Sequence, residues 1–257
     1  MDNTTVYDNF DWEAFQYNIL KDKINKVKEI IPEDVKTIVD IGCGNGLITN
    51  ILGESYHITG IDRSPEALKY VKTEKILASS DNIPLNDHSC DMVFSSELLE
   101  HLPDDILEKT VSECKRLSKK YIFITVPNNE NPDKLSIKCP SCGYLYNSPN
   151  HLRSFDIKKL SALFPEYKLR TSLTFGKKIR FYNKTIMNIK KRISPATSWI
   201  PYYWMEKDKR KTTCPSCENV FHNPYKFNIM ALGCDILNVA ISPKKHYWLF
   251  AIFEQKK

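Results

Sequence analysis

From residue 13 onward the apolar positions follow first a helical and then a strand rhythm. Phe15, Ile19, Ile24, Val27 and Ile31 recur at close to helical spacing and predict an amphipathic helix over residues 13–31. The short apolar runs KTIVDI, YHITGID, KILAS, CDMVFS and KKYIFITVP then read as five strands, the last ended by Pro127. Between them lie helical stretches. LITNILGE follows a glycine turn, SPEALKYVK has Ser64 as N-cap and Pro65 at its first position, and DDILEKTVSECKRL aligns Leu107, Val111, Cys114 and Leu117 on one face. Strands alternating with helices predict an α/β domain, a doubly wound, mainly parallel sheet.

After Pro127 the rhythm changes. Residues 128–153 read as a loop, SFDIKKLSALF as a helix capped by Ser154 or Asp156, and Lys168–Phe175 as a strand. A long basic stretch follows. Then YKFNIMALGCDILN predicts a helix with Phe227, Met230, Ala231, Cys234 and Leu237 in line, and His246–Phe253 a last strand. The expected division is a core at 1–127, a first insertion at 128–153, a core helix and strand at 154–175, a second insertion at 176–245 and the last core strand at 246–257.

VDIGCGNG, Val39 to Gly46, sits between a strand and a helix, where glycines let the backbone turn sharply and approach a ligand. Asp62 ends the next strand, 16 residues beyond Gly46, where a carboxylate accepts both hydroxyls of a ribose. The spacing is GxGxG rather than the dinucleotide GxGxxG. Led by Asp40 and followed by ASSDNIPLNDHSCDMVFSSELLEHLPDD, it resembles class I S-adenosylmethionine-dependent methyltransferases. Within these it is similar to the small-molecule branch that includes the ubiquinone-biosynthesis methyltransferases. The resemblance covers about residues 35–127. It implies a Rossmann-like fold with an antiparallel last strand, and S-adenosylmethionine as cofactor.

Residue by residue, it implies that Gly42, Cys43, Gly44 and Gly46 form the turn along the methionine part, with Asp40 orienting its amino group. Asp62 would hold the ribose, Arg63 would lie beside the adenine, Ser80 and Asp81 would border its edge, and Ser95 would offer its backbone. One departure stands at Ser79, where the family usually has an acidic residue facing the adenine amino group. Methyl transfer needs the acceptor held in line and often deprotonated. His101, in ELLEHLPDD, and His151, in NHLRSF, are the two candidate bases. Each also reads as a packing residue, His151 as one near a metal, and some methyltransferases need no base. The fourth strand ends in FSSEL rather than [DN]PP[YF], which argues against nucleobase or glutamine N-methylation.

CPSC occurs twice, and Cys139, Cys142, Cys214 and Cys217 together make the ligand set of a four-cysteine structural zinc site. The 71 residues between the pairs are too many for a continuous zinc ribbon. In the methyltransferase topology both insertions leave the sheet on the cofactor side, so one zinc could staple them into a cap. His151 and His222 stand as substitute ligands, and a redox dithiol is the rival reading. Gly143 after the first pair permits a tight loop, whereas Glu218 stands there after the second, a less ideal geometry.

Charge divides the chain. Through Lys138 there are 16 basic and 24 acidic residues; from Cys139 onward there are 21 and 7. Residues 176–213 mix basic residues with Phe181, Tyr182, Trp199, Tyr202, Tyr203 and Trp204. The mixture suits a phosphorylated or sugar-type small molecule, an RNA or an anionic membrane, or the aromatics simply form the cap's core. No run is long and apolar enough to span a bilayer and no signal-peptide pattern opens the chain, so a cytoplasmic protein is expected. The reading is a methyltransferase acting on oxygen of a small-molecule or carbohydrate-like acceptor, with an RNA methyltransferase or a non-catalytic zinc-bearing binding protein as alternatives.

Overall fold

The computed structural model describes residue 12 and residues 17–134, 136–193, 206, 210–223 and 226–256. It divides into two units. One comprises Phe10–Asn128, Phe155–Lys177 and His246–Lys257; the other takes in Asn129–Ser154 and Lys178–Lys245.

The larger unit is built on a seven-stranded sheet. Its strands are β1 (Thr37–Ile41), β2 (His57–Asp62), β3 (Glu74–Leu77), β4 (Cys90–Ser96), β5 (Ser118–Pro127), β8 (Tyr167–Arg180) and β11 (Lys244–Gln255), ordered β3-β2-β1-β4-β5-β11-β8. β1 pairs in parallel with β2 and β4, β2 with β3, and β4 with β5, whereas β11 runs antiparallel to β5. Alternate residues feed two apolar layers, as a doubly covered sheet requires. Ile38, Met92, Phe94, Phe123 and Phe250 pack with Ile24 and Val27 of α1 (Tyr17–Ile30) and with Ile48 and Leu52 of α2 (Leu47–Leu52). Val39, Val93, Ile122, Ile124 and Phe253 pack on the other face with Leu107, Val111, Cys114 and Leu117 of α4 (Asp104–Leu117) and Leu160 of α5 (Ile157–Ala162).

Capping decides two helix starts. The Ser64 hydroxyl accepts from Ala67 N at 3.2 Å, but the helix it opens, α3 (Pro65–Leu68), stops well short of the expected SPEALKYVK. The side chain of Asn50 replaces the missing turn: it donates to Tyr70 O and accepts from Lys72 N, holding residues 70–72 out of helix. Asp156, not Ser154, caps α5, accepting from Lys159 N at 2.8 Å.

The smaller unit contains two antiparallel hairpins, β6 (Ser136–Lys138) with β7 (Leu145–Asn147), and β9 (Lys211–Thr213) with β10 (Val220–His222). It also holds α6 (Lys184–Ile193) and α7 (Ile229–Ile241). Asn228 caps α7, accepting from Ala231 N at 3.0 Å, so Phe227 stands outside the helix. The expected apolar line splits, since Ala231 and Cys234 are buried while Met230 and Leu237 are exposed. Trp199, Tyr202, Tyr203 and Trp204 lie outside the described residues, as does Phe15.

Candidate functional site

The order of the sheet reverses at β1, between β2 and β4, and ligands of open α/β sheets bind at the carboxyl ends of strands at such a switch. The glycine turn leaves β1 there. Gly42, Gly44 and Gly46 have φ of 75°, 54° and 71°. These left-handed values disfavour residues with a Cβ. At Gly42 a Cβ would also stand 2.9 Å from the Leu98 side chain.

The turn's donors are already committed. Gly42 N and Cys43 N both donate to Ile61 O, at 2.8 and 3.0 Å, and Gly44 N donates to Asp62 Oδ2 at 2.8 Å. Those N–H groups are therefore not gathered around an anion, as a phosphate-binding loop would have them. The Trp12 ring packs against Gly44, and Asn45 Nδ2 donates to Trp12 O at 2.9 Å.

Asp40 is almost wholly buried at the end of β1, and Thr49 Oγ1 donates to its Oδ2 at 2.6 Å. Among the described residues no donor reaches its Oδ1. Burial pushes its carboxyl up to about 7, against the pull of the Thr49 hydroxyl. Asp62, at the end of β2, accepts from Gly44 N and, at 2.9 Å, from Ser64 N. Burial raises its carboxyl as well, with the N–H groups of Ser64, Gly44 and Arg63 pulling the other way. A carboxylate has about four lone-pair sites, so Asp62 keeps acceptor capacity beyond these bonds.

Beyond β3, the Ser79 hydroxyl is hydrogen-bonded to Asp81, and Ser80 Oγ lies 2.8 Å from Thr110 Oγ1. Burial lowers the Arg63 guanidinium, with Asp81 as the opposing neighbour. Ser95 is fully buried and its hydroxyl donates to Ile41 O at 2.9 Å, which commits its one hydroxyl proton. Burial drives the Cys43 thiol far up, which disfavours its thiolate.

Sequence reasoning missed an ion pair near this end of the sheet. Lys23 of α1, 1% exposed, donates to Glu97 Oε1 at 3.1 Å and lies 4.9 Å from the centre of the Trp248 ring. Glu97 follows β4 with φ 54°. Only FSSEL, quoted for what it lacks, touches this pair in sequence.

The two candidate bases fall in different units. His101 ends a short 3-10 turn, Leu99–His101, after β4. His151 is buried in the smaller unit, its Nδ1 hydrogen-bonded to Glu130, and its N–H donates to Asn147 Oδ1 at 3.1 Å.

The four cysteines of the smaller unit come together, all sulfurs lying within 4.8 Å of one another. Cys139 to Cys217 and Cys142 to Cys214 are each 3.6 Å, sulfur to sulfur, and all four thiols are free. Zn–S bonds of ~2.3 Å in a tetrahedron put sulfurs about 3.8 Å apart, so the set fits the ion. The two knuckles match. Gly143 N donates to Cys139 O and Glu218 N to Cys214 O, at 3.0 and 2.9 Å. Burial works against a Cys139 thiolate, but the N–H groups of Cys142 and Ser141 and the thiols of Cys217 and Cys142 bring it down to about 6. Glu218, at φ 59°, adopts the left-handed turn that Gly143 takes at 75°, so the second knuckle closes without a glycine. His222 ends β10 on the surface and His151 is engaged by Glu130, so the four sulfurs make the set without them.

Residues 39–123 match the family model described as a methyltransferase domain. The chain carries a methyltransferase domain. Over 126 residues it is 30% identical to the ubiquinone biosynthesis O-methyltransferase of Nitrosospira multiformis, covering 44% of this chain and 51% of that protein. The protein of the same name from Nitrosomonas europaea is 30% identical over 125 residues, 43% of this chain and 52% of that one. The chain thus spans about half the length of the curated relatives it matches. A S-adenosylmethionine-dependent methyltransferase from Archaeoglobus fulgidus has the same fold, with TM-score 0.57 at 16% identity over 96% of this chain and 100% of that chain. So does a Bacillus halodurans protein described as a putative methyltransferase, with TM-score 0.57 at 11% identity over 92% and 100% of the two chains.

Proposed function

We propose that the protein is a S-adenosylmethionine-dependent methyltransferase acting on a hydroxyl oxygen of a small-molecule acceptor, a phenol or a sugar. The observation that carries this reading is the pairing of a committed glycine turn with two carboxylates, the buried Asp40 and the half-buried Asp62, at the switch point of the sheet. Bound there, S-adenosylmethionine supplies an electrophilic methyl group together with its own leaving group. Asp40 Oδ1 is the acceptor for the cofactor's ammonium, Asp62 for the ribose hydroxyls, and Ser79, Asp81 and Arg63 line the adenine edge. That both relatives are named O-methyltransferases supports oxygen as the acceptor atom.

Of the two histidines, His151 has the surroundings better suited to a general base. A carboxylate on Nδ1 fixes the tautomer and orients the ring. The four cysteines hold a zinc ion whose role is structural, because four thiolates leave no open coordination position. Acceptor choice is assigned to the segments outside residues 39–123.

The test is transfer of a tritiated methyl group to a panel of phenols, sugars and RNA. Label on oxygen of a phenol or sugar is expected, with His151→Ala costing about a hundredfold or more in kcat at unchanged cofactor affinity. Label in RNA, with binding that falls steeply with salt, would move the reading to the nucleic acid.

A pH dependence follows from Asp40. Its folded value, about 7, lies above the ordinary 3.8, so in the empty protein it takes up its proton as the pH falls through 7. Ionised Asp40 thus costs the empty fold stability above that range, and the cofactor's ammonium restores its partner. Cofactor affinity is expected to fall by up to about tenfold per pH unit below about pH 7. The upward shift of Asp62 acts in the same direction. Calorimetry across pH 5–8 checks this, and Asp40→Asn should flatten the profile. A wild-type profile already flat over that range would contradict the role given to Asp40.

A further inference from the structure

Helix α7 is turned inside out. Its polar side chains face inward. Asp235 is bonded to Lys190 Nζ at 2.9 and 3.0 Å and to the Tyr182 hydroxyl, and Asn238 Oδ1 accepts from Asn183 N at 2.9 Å and Ser242 Oγ at 2.5 Å. Lys190, Asp235 and Asn238 are each less than a tenth exposed. A buried ion pair with these bonds holds one rotation of the helix, because turning it would leave two charges unpaired.

That rotation drives the apolar side out. Ile229, Met230, Ile236, Leu237, Val239 and Ile241 are all at least half exposed. The spacing 229, 233, 236, 240 and 230, 237, 241 is one continuous helical stripe, and it carries no charged residue. On α6 the exposed Ile189 and Ile193, one turn apart, add to the apolar surface. Monomeric soluble proteins rarely leave a contiguous apolar patch of this kind uncovered.

We infer that α7 is a docking surface for an anionic lipid bilayer, on which it lies flat. Charge identifies the occupant. Exposed lysines bracket the stripe, Lys226 before it and Lys244 and Lys245 after it, and the only acid between them is the buried Asp235. The segments of this unit, residues 129–154 and 178–245, hold 16 basic and 6 acidic residues. Two copies pairing antiparallel through the stripe would set Lys226 against Lys244 and Lys245, like charge on like. A helix of 13 residues is about 20 Å long, short of the ~30 Å bilayer core, so it lies in the interface and does not cross it. The inference is independent of methyl transfer.

The test is flotation of the intact protein with vesicles of phosphatidylcholine alone and with about three parts in ten of phosphatidylglycerol. The wild type is expected to float with the anionic vesicles at least about tenfold better than with neutral ones, and high salt should weaken it. I236E/L237E should abolish flotation, and K244E/K245E should remove the preference for phosphatidylglycerol. All four positions are on the surface, so the circular dichroism melting curve and S-adenosylmethionine affinity should stay as in the wild type. Wild type that never floats, or I236E/L237E that floats as well as wild type, would overturn the inference. So would sedimentation showing a wild-type dimer that I236E/L237E dissociates, which would make the face a contact between copies.

Discussion

Replacing Cys214 and Cys217 with serine is expected to strip the bound zinc and unfold the smaller unit at a temperature the wild type withstands. The four sulfurs within 4.8 Å of one another join two hairpins through cysteine pairs that are 71 residues apart in the chain. Structural zinc is worth about 10–16 kcal/mol in finger peptides, comparable to the ~5–15 kcal/mol that stabilises a whole domain. Without it, the unit's apolar cluster of Ile137, Tyr146, Tyr182, Ile186 and Met187 has little else to fix the hairpins. The same variant should keep S-adenosylmethionine binding, since Asp40 and Asp62 belong to the other unit. Metal analysis and thermal melting of the purified variant decide it. A full complement of zinc with an unchanged melting curve would sink the shared site, and zinc bound by either knuckle alone would do the same.

Asp62→Ala is expected to weaken S-adenosylmethionine binding by a hundredfold or more. The carboxylate does two things at once. It holds the glycine turn in place through Gly44 N and Ser64 N, and it offers its remaining lone pairs to the ribose. Hydrogen bonds to a charged group contribute about 1.5–3 kcal/mol each, so losing two or three of them exceeds about a hundredfold in affinity. Asp62→Asn keeps one acceptor oxygen and should fall between alanine and wild type. Calorimetry that found the alanine variant within about twofold of wild type would refute this role.

The strands were readable because sheet alternation is a short-range pattern. Ile38 and Val39, or Ile122 and Phe123, announce by their neighbours that both faces of the sheet are covered. The glycine turn and Asp62 were readable for a similar reason, being joined by one strand–helix–strand unit. The cysteine site was legible despite its spacing, because the repeated tetrapeptide names its own partner. Helix α7 was not. Its sequence, IMALGCDILNVAI, is apolar on nearly every side, so periodicity does not choose a face. Lys190, 45 residues earlier, makes that choice by pairing with Asp235. The Lys23–Glu97 pair spans 74 residues and leaves no local trace for the same reason. Position 218 looked poor for a tight turn because it lacks glycine, but it takes the left-handed conformation, at a cost of about 1–2 kcal/mol, in a turn closed by Glu218 N donating to Cys214 O. The third helix fell short because the Asn50 side chain captured the backbone that would have continued it.

The account rests on a S-adenosylmethionine site at the ends of β1 and β2. Its most direct test is a calorimetric titration of the intact protein with S-adenosylmethionine at pH 8, beside the same titration of Asp62→Ala. The account predicts one saturable site per chain in the wild type and its loss in the variant. No heat of binding in a folded wild-type protein would contradict it and leave a zinc-bearing binding protein on a methyltransferase scaffold.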